Sequence, residues 1–343
     1  MDDLKYSFKN DYSELAHPRV LSALSAIGNK QFDGYGLDEF SAKAAASIRA
    51  KISKPSADVH FLAGGTHANL VVMSSILRPH EAVIAPESGH IFVHEAGAIE
   101  ATGHKICTRT GHNGKLYVKD IESVVEEHSD EHMVKPRLVY ISLSTESGTV
   151  YTKKELRDIS VYCRRNGLYL YLDGARLGPA INSTACDLSY GDVAELTDAF
   201  YLGGTKNGAL YGEAIIICND DIKPDFRFHL KQRGALLAKG AVIGLQFEAL
   251  LETGLYDELA LNANKTAADL ASGIKKLGYD FLYPVETNII IPVFPAEIAA
   301  SLHRLYDFHD WKVLGDSIAV RLVTSWATPS SIIQEFISDL SSM

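Results

Sequence analysis

The sequence predicts an α/β protein: a mostly parallel sheet sandwiched by helices, followed by a smaller α+β unit at the carboxyl end. Two observations carry this. From about residue 58, short apolar, β-branched or aromatic runs alternate with longer stretches of helical periodicity. Several of those runs are continuously apolar rather than alternating, as strands covered on both faces of a parallel sheet are.

The elements follow in order. Val59-His60-Phe61-Leu62 is a strand, Thr66 to Leu77 a helix, Ala82-Val83-Ile84 a strand, and a helix-like stretch starts at Phe92. Leu138-Val139-Tyr140-Ile141 is a strand, and Thr152-Lys153-Lys154-Glu155 spells a capping box ahead of Leu156, Ile159 and Cys163 at helical spacing. Leu168 to Leu172, Ala199 to Leu202 and Ala214 to Ile217 complete the strands. After about residue 228 come long helical stretches, Leu230 to Leu251 and Ala260 to Leu277. Strands at Thr287–Pro292 and Ala319–Thr324 and a helix near Ser330–Leu340 close the chain. The expected division is 1–30 as a segment packing on the small domain or a partner subunit, 31–250 as the large α/β domain, and 251–343 as the small one.

The 343 residues are 46% hydrophobic and 22% charged, ordinary globular usage that excludes disorder, collagen and coiled coil. Thirty-three Lys plus Arg against 43 Asp plus Glu leave a net charge of −10. With no basic cluster, nucleic acid and acidic membranes are poor partners. Four scattered cysteines without a C-x-x-C pair suggest a reducing compartment. The start Met1-Asp2-Asp3-Leu4-Lys5 has no secretory pattern and no run approaches the ~20 residues of a membrane span, so a cytoplasmic protein is expected.

Five local patterns could carry chemistry. Gly203-Gly204-Thr205-Lys206-Asn207-Gly208 sets a lysine in a glycine-rich turn after an apolar strand. It is either a solvated loop lysine or an amine with a lowered pKa able to form a Schiff base at the sheet's carboxyl edge. Tyr171-Leu172-Asp173-Gly174-Ala175-Arg176 ends a strand in an aspartate with an arginine three residues on. These are a helix cap and its ion partner, or a carboxylate for a protonated ring nitrogen and a clamp for a substrate carboxylate. Gly64-Gly65-Thr66-His67 runs from strand into helix, a plain turn or a phosphate seat made of free amides. His90 and His94 share the i, i+4 spacing of a metal pair, but no third ligand and no H-E-x-x-H order accompany them, so no metal is expected. A histidine stacked on a planar cofactor or a satisfied buried histidine fits better. Arg321 sits inside the apolar run Val320 to Thr324, facing solvent or serving as a second carboxylate clamp.

Taken together, these motifs resemble pyridoxal-phosphate enzymes of the aspartate-aminotransferase fold (fold type I), and more narrowly L-threonine aldolases of the β-eliminating lyase family. The resemblance runs from Asn10-Asp11 through Gly65-Thr66-His67-Ala68-Asn69-Leu70, His90 with Glu95-Ala96-Gly97, and Leu172-Asp173-Gly174-Ala175-Arg176, to Arg321-Leu322-Val323-Thr324. It implies pyridoxal 5'-phosphate carried on Lys206, its ring nitrogen on Asp173, its face against His90, and its phosphate held by Gly65 and Thr66 with Thr205 and Lys239 nearby, His67 also belonging to the cofactor site. It implies further that Arg176, Arg321 and Asn10 bind the substrate carboxylate and that Tyr35 reaches the site from a neighbouring subunit, in a homodimer at least and a homotetramer by expectation. The implied reaction is retro-aldol cleavage of L-threonine or L-allo-threonine to glycine and an aldehyde. A β-eliminating lyase or an amino-acid racemase is the alternative. One departure stands out: Thr145-Glu146-Ser147-Gly148 replaces the family's Thr-His-Asn-Gly, so Glu146 stands where a histidine approaches the β-hydroxyl. It could act as a base, position a water, or be a loop residue.

Overall fold

The computed structural model describes residues 4–343; Met1, Asp2 and Asp3, on which part of the amino-terminal reading rests, lie outside the described residues. Seven strands form the main sheet in the spatial order Asp58–Leu62, Glu213–Ile217, Ala199–Gly203, Tyr169–Asp173, Lys135–Ser142, Glu81–Pro86, Ile106–Arg109. All run the same way except Glu213–Ile217, which is antiparallel to both neighbours.

Both faces of this sheet are covered, which is why its strands read as unbroken apolar runs. Val139, Ile141, Leu170, Leu172, Phe200 and Leu202 point into one core with the helices Lys153–Arg165 and Ala241–Leu251. Leu138, Tyr140, Tyr171, Ala199, Tyr201 and Ile215 point into the other, under the helix Gly65–Ile76. Burying each large side chain contributes roughly 1.5–3 kcal/mol. The Thr152/Glu155 capping box forms as expected.

Two helical expectations are corrected. The stretch Leu230 to Leu251 is not one helix but two, Phe226–Gln232 and Ala241–Leu251, because Gly234 takes a positive φ of 75° between them. The helix expected from Phe92 is a single turn, His90–Val93, stopped by positive φ at Ala96 and Gly97.

The carboxyl-terminal unit is an antiparallel sheet of Ile289–Ile290, Val293–Pro295, His309–Leu314 and Ser317–Val323. It packs on the helices Leu255–Lys276, Ala296–Leu302 and Ser330–Ser341. The amino-terminal segment adds to it: Tyr6–Ser7 pairs in parallel with Tyr306–Asp307, and Phe8 is fully buried in its core. The chain then crosses to the carboxyl edge of the large sheet at Asp11. Among the described residues no helix is long and apolar enough to cross a membrane.

Candidate active site

The parallel strands end on one edge, and the loops that leave them bring the sequence motifs together. Close packing of two of these loops requires glycine. A Cβ on Gly174 would lie 1.7 Å from the Tyr201 carbonyl oxygen, and one on Gly203 would lie 2.4 Å from the Ala175 carbonyl oxygen. Gly203 N donates to Gly174 O at 3.0 Å, locking the Asp173–Arg176 loop against the turn that carries Lys206.

Four donors hold the Asp173 carboxylate. Tyr201 donates to Oδ1 at 2.5 Å and Ala175 N at 3.0 Å; Tyr140 donates to Oδ2 at 2.7 Å and Asn69 Nδ2 at 3.2 Å. Burial, reinforced by the Asp173 charge, pushes the Tyr140 and Tyr201 phenols well up, so both stay protonated. Asn69 also donates to Glu95 Oε1 at 2.7 Å, and that oxygen accepts His90 Nδ1 at 2.7 Å. Burial favours the neutral His90 ring, but the Glu95 hydrogen bond and the nearby Glu146 and Asp173 charges outweigh it and raise the His90 pKa.

A 350 Å³ cavity opens above this network, lined by Gly64, Gly65, Thr66, His90, Asp173, Thr205, Lys206 and others. The helix behind Thr66 begins with no side-chain cap on Gly64, which leaves first-turn amides for an anion. Thr205 Oγ1 donates to Glu213 Oε1 at 2.7 Å and Gly204 N to Glu213 Oε2 at 2.9 Å. Burial raises Glu213 to about 7 against the opposing pull of those bonds and the Lys206 charge. The Lys206 amine is pushed down from its ordinary value, first by burial and then by Arg176.

A second cavity, of 470 Å³, shares Tyr12, His90, His94, Glu146 and Lys206 with the first and adds Asn10, Arg176, Arg321, His309, Asp310 and Trp311. Arg176 is only 5% exposed and is held bidentate by Asp11, Nε to Oδ2 at 2.7 Å and Nη2 to Oδ1 at 3.0 Å. Burial would raise Asp11, but Arg176 and Lys206 more than offset it and hold the carboxyl at about 2. Arg321, 8% exposed, keeps a buried Nε without a partner and stands 4.0 Å from Glu146 Oε2. It is therefore not the solvent-facing residue of an alternating strand, and a carboxylate placed beside it would satisfy a donor the fold leaves open. Burial pushes Glu146 up, but Arg176, Arg321, Lys206 and His90 together hold it below the usual carboxylate range.

Lys206, His90, Asp173, Glu146, Gly65, Thr66, Thr205, Asn10, Arg176 and Arg321 thus line one connected space. Three expected residues do not. The His67 ring turns away to the Arg233 carbonyl, Nε2 to O at 2.9 Å. Tyr35 lies against the Lys231 amine and borders another cavity, and its amide donates to Ala238 O, beside exposed Lys239. Asn69, Tyr140, Tyr201 and Glu213 were not singled out as site residues from the sequence, and His94 stood out there only through its i, i+4 spacing from His90. The three polar side chains on buried strands, Tyr140, Tyr201 and Glu213, were the available signal.

An α/β fold of the aspartate-aminotransferase type, with a lysine and an aspartate facing each other at the strand ends, is the class these features define. An aspartate aminotransferase of Thermus thermophilus superposes with a TM-score of 0.74 at 15% identity, covering 99% of this chain and 91% of its own. The chain belongs to the beta-eliminating lyase family, which matches residues 23–296. A low specificity L-threonine aldolase of a Pseudomonas species (strain NCIMB 10558) is 32% identical over 99% of this chain and 98% of its own length. The structure of a threonine aldolase of Leishmania major matches with a TM-score of 0.97 and 48% identity, over 98% of this chain and 99% of that one.

Proposed function

We propose that the chain is a pyridoxal 5'-phosphate-dependent lyase that cleaves L-threonine or L-allo-threonine between Cα and Cβ, giving glycine and acetaldehyde. One observation carries this: a half-buried lysine just past a strand end lies between a carboxylate held by four donors and a buried arginine with an open Nε.

Gly65, Thr66 and Thr205 would hold the cofactor phosphate, Asp173 its ring nitrogen and His90 its ring face, with Lys206 as the covalent attachment. When bound, the cofactor supplies a protonated ring that takes up the electron pair released at Cα. The chain's own residues do the rest. Lys206, its pKa lowered, offers a neutral amine that would hold the cofactor, give way to the substrate's amine and take its place again when the product leaves. Arg321, with Arg176 and Asn10 beside it, fixes the substrate carboxylate, and this fixes which Cα bond stands across the ring. Asp173 keeps the ring nitrogen protonated.

In this reading the chain works as a large unit over 31–250 and a small unit over 251–343, with 1–30 joining them. Tyr35 and Lys239 both lie outside their own chain's cavity, Tyr35 bonded to the residue before Lys239, which supports a homodimer or homotetramer in which they reach a neighbour's site. The free thiols of Cys107, Cys163, Cys186 and Cys218 support a cytoplasmic setting.

Product analysis by NMR tests the reading. Cofactor-loaded protein incubated with L-threonine and, separately, L-allo-threonine is expected to give glycine and acetaldehyde. Formation of 2-oxobutanoate would make it an eliminating lyase, and formation of the D-amino acid a racemase.

A further inference from the structure

Retro-aldol cleavage needs a group that takes the proton from the substrate's β-hydroxyl, and the reacting Cα–Cβ bond must lie where the two cavities join. Among the described residues, only Tyr12, His90, His94, Glu146 and Lys206 border both. Lys206 is committed to the amine chemistry. His90 is tied through Nδ1 to Glu95 and is raised in pKa, which makes it a donor. Glu146 is held ionised by the surrounding cations, which makes it a good acceptor and a weak base. Tyr12 is 55% exposed and stands over the Lys206 amine, its ring centre 5.8 Å from Nζ.

His94 remains. It ends the His90–Val93 turn, with its amide bonded to His90 O at 2.9 Å, so the two imidazoles project to the same side, ring centres 5.5 Å apart. His94 is exposed at the mouth, where a proton can pass to solvent. We propose that His94 is the catalytic base that removes the β-hydroxyl proton, with Glu146 as the ionised acceptor beside it; this rests on the aldolase reading above.

The step balances. The lone pair of the neutral imidazole takes the hydroxyl proton, and the O–H electron pair becomes the second bond of the aldehyde C=O. The Cα–Cβ pair stays with Cα, which later regains a proton from solvent, and the imidazolium returns its own proton to solvent. The groups facing His94 are His90 from its own turn, Glu146 from the 145–149 loop, Arg321 from Ser317–Val323 and His309 from His309–Leu314. Burial, then the His90, Arg321 and His309 charges, push its pKa down against the pull of Glu146, so it is neutral at pH 7.

His94→Asn in the cofactor-loaded enzyme is expected to lower kcat for both diastereomers by roughly 10²-fold or more, the scale of a lost general base. The acid limb of the kcat/KM profile should disappear, and added imidazole should restore part of the rate. Glycine has no β-hydroxyl, so its binding by calorimetry is expected to stay within about twofold, which also shows that the variant has folded. His94→Gln, expected to behave alike, serves if His94→Asn does not fold. An active wild type whose His94 variants keep their rate and acid limb overturns the assignment, as does loss of that limb in Glu146→Gln alone. A wild type that releases no aldehyde overturns the aldolase reading, and this inference with it.

Discussion

The two connected cavities are built by different rules. The donors on Asp173 and Glu213 all come from the large sheet, the loops that leave its strands and the helix behind Thr66, and the carboxylate oxygens of both residues have donors. Around Arg321, the walls come from the amino-terminal segment, the 145–149 loop and the small unit, and charged groups stand close without full pairing. The first is a seat prepared for a resident group; the second keeps its binding capacity for a ligand that comes and goes. Arg176 joins them, because Asp11 from the second region pins a guanidinium carried by a loop of the first.

Breaking that joint is expected to have the largest effect. Asp11→Ala leaves a buried guanidinium uncompensated and should cost about 3–5 kcal/mol in denaturant unfolding. In the wild type the Asp11 carboxyl is lowered, so its contribution is full above pH 3.8 and fades as pH falls toward about 2. The variant should lack that acid-side loss. Next comes the open side: Arg321→Ala should lower kcat/KM for L-threonine by roughly 10²-fold through the lost carboxylate contact, with little change in thermal midpoint. A large fall in stability instead would mean that Arg321 is structural. The smallest effect belongs to the satisfied side. Glu213 is raised to about 7, so its contribution is full below pH 4.5 and is lost as pH rises through 7. Thermal midpoints at pH 5 and pH 8 should therefore differ less in Glu213→Gln than in the wild type.

Much of the first region was legible in the sequence because strand-end motifs are local. Asp173-Gly174-Ala175-Arg176 and Gly203 to Lys206 each fall on one loop, and the βα alternation puts both loops on one edge. Its supporting network was not legible. Asn69 meets Asp173 across 104 residues, and Tyr140 and Tyr201 read as strand filling until their hydroxyls are seen to share a face with Asp173. The second region was less legible still, since Asp11 meets Arg176 across 165 residues and the role of His94 depends on which cavities it borders. The split near Gly234 was missed because apolar residues continue across it, from Leu230 through Ala235, Leu236 and Leu237 into Ala241–Leu251, and periodicity alone does not mark a break.

The measurement that goes most directly to the centre is borohydride reduction of the cofactor-loaded protein followed by peptide mapping by mass spectrometry. The cofactor is expected on the peptide that contains Lys206 and nowhere else, and the label should vanish in Lys206→Ala. Label on another lysine, or a protein that binds the cofactor but takes no label, would contradict the assignment of Lys206 and the chemistry derived from it.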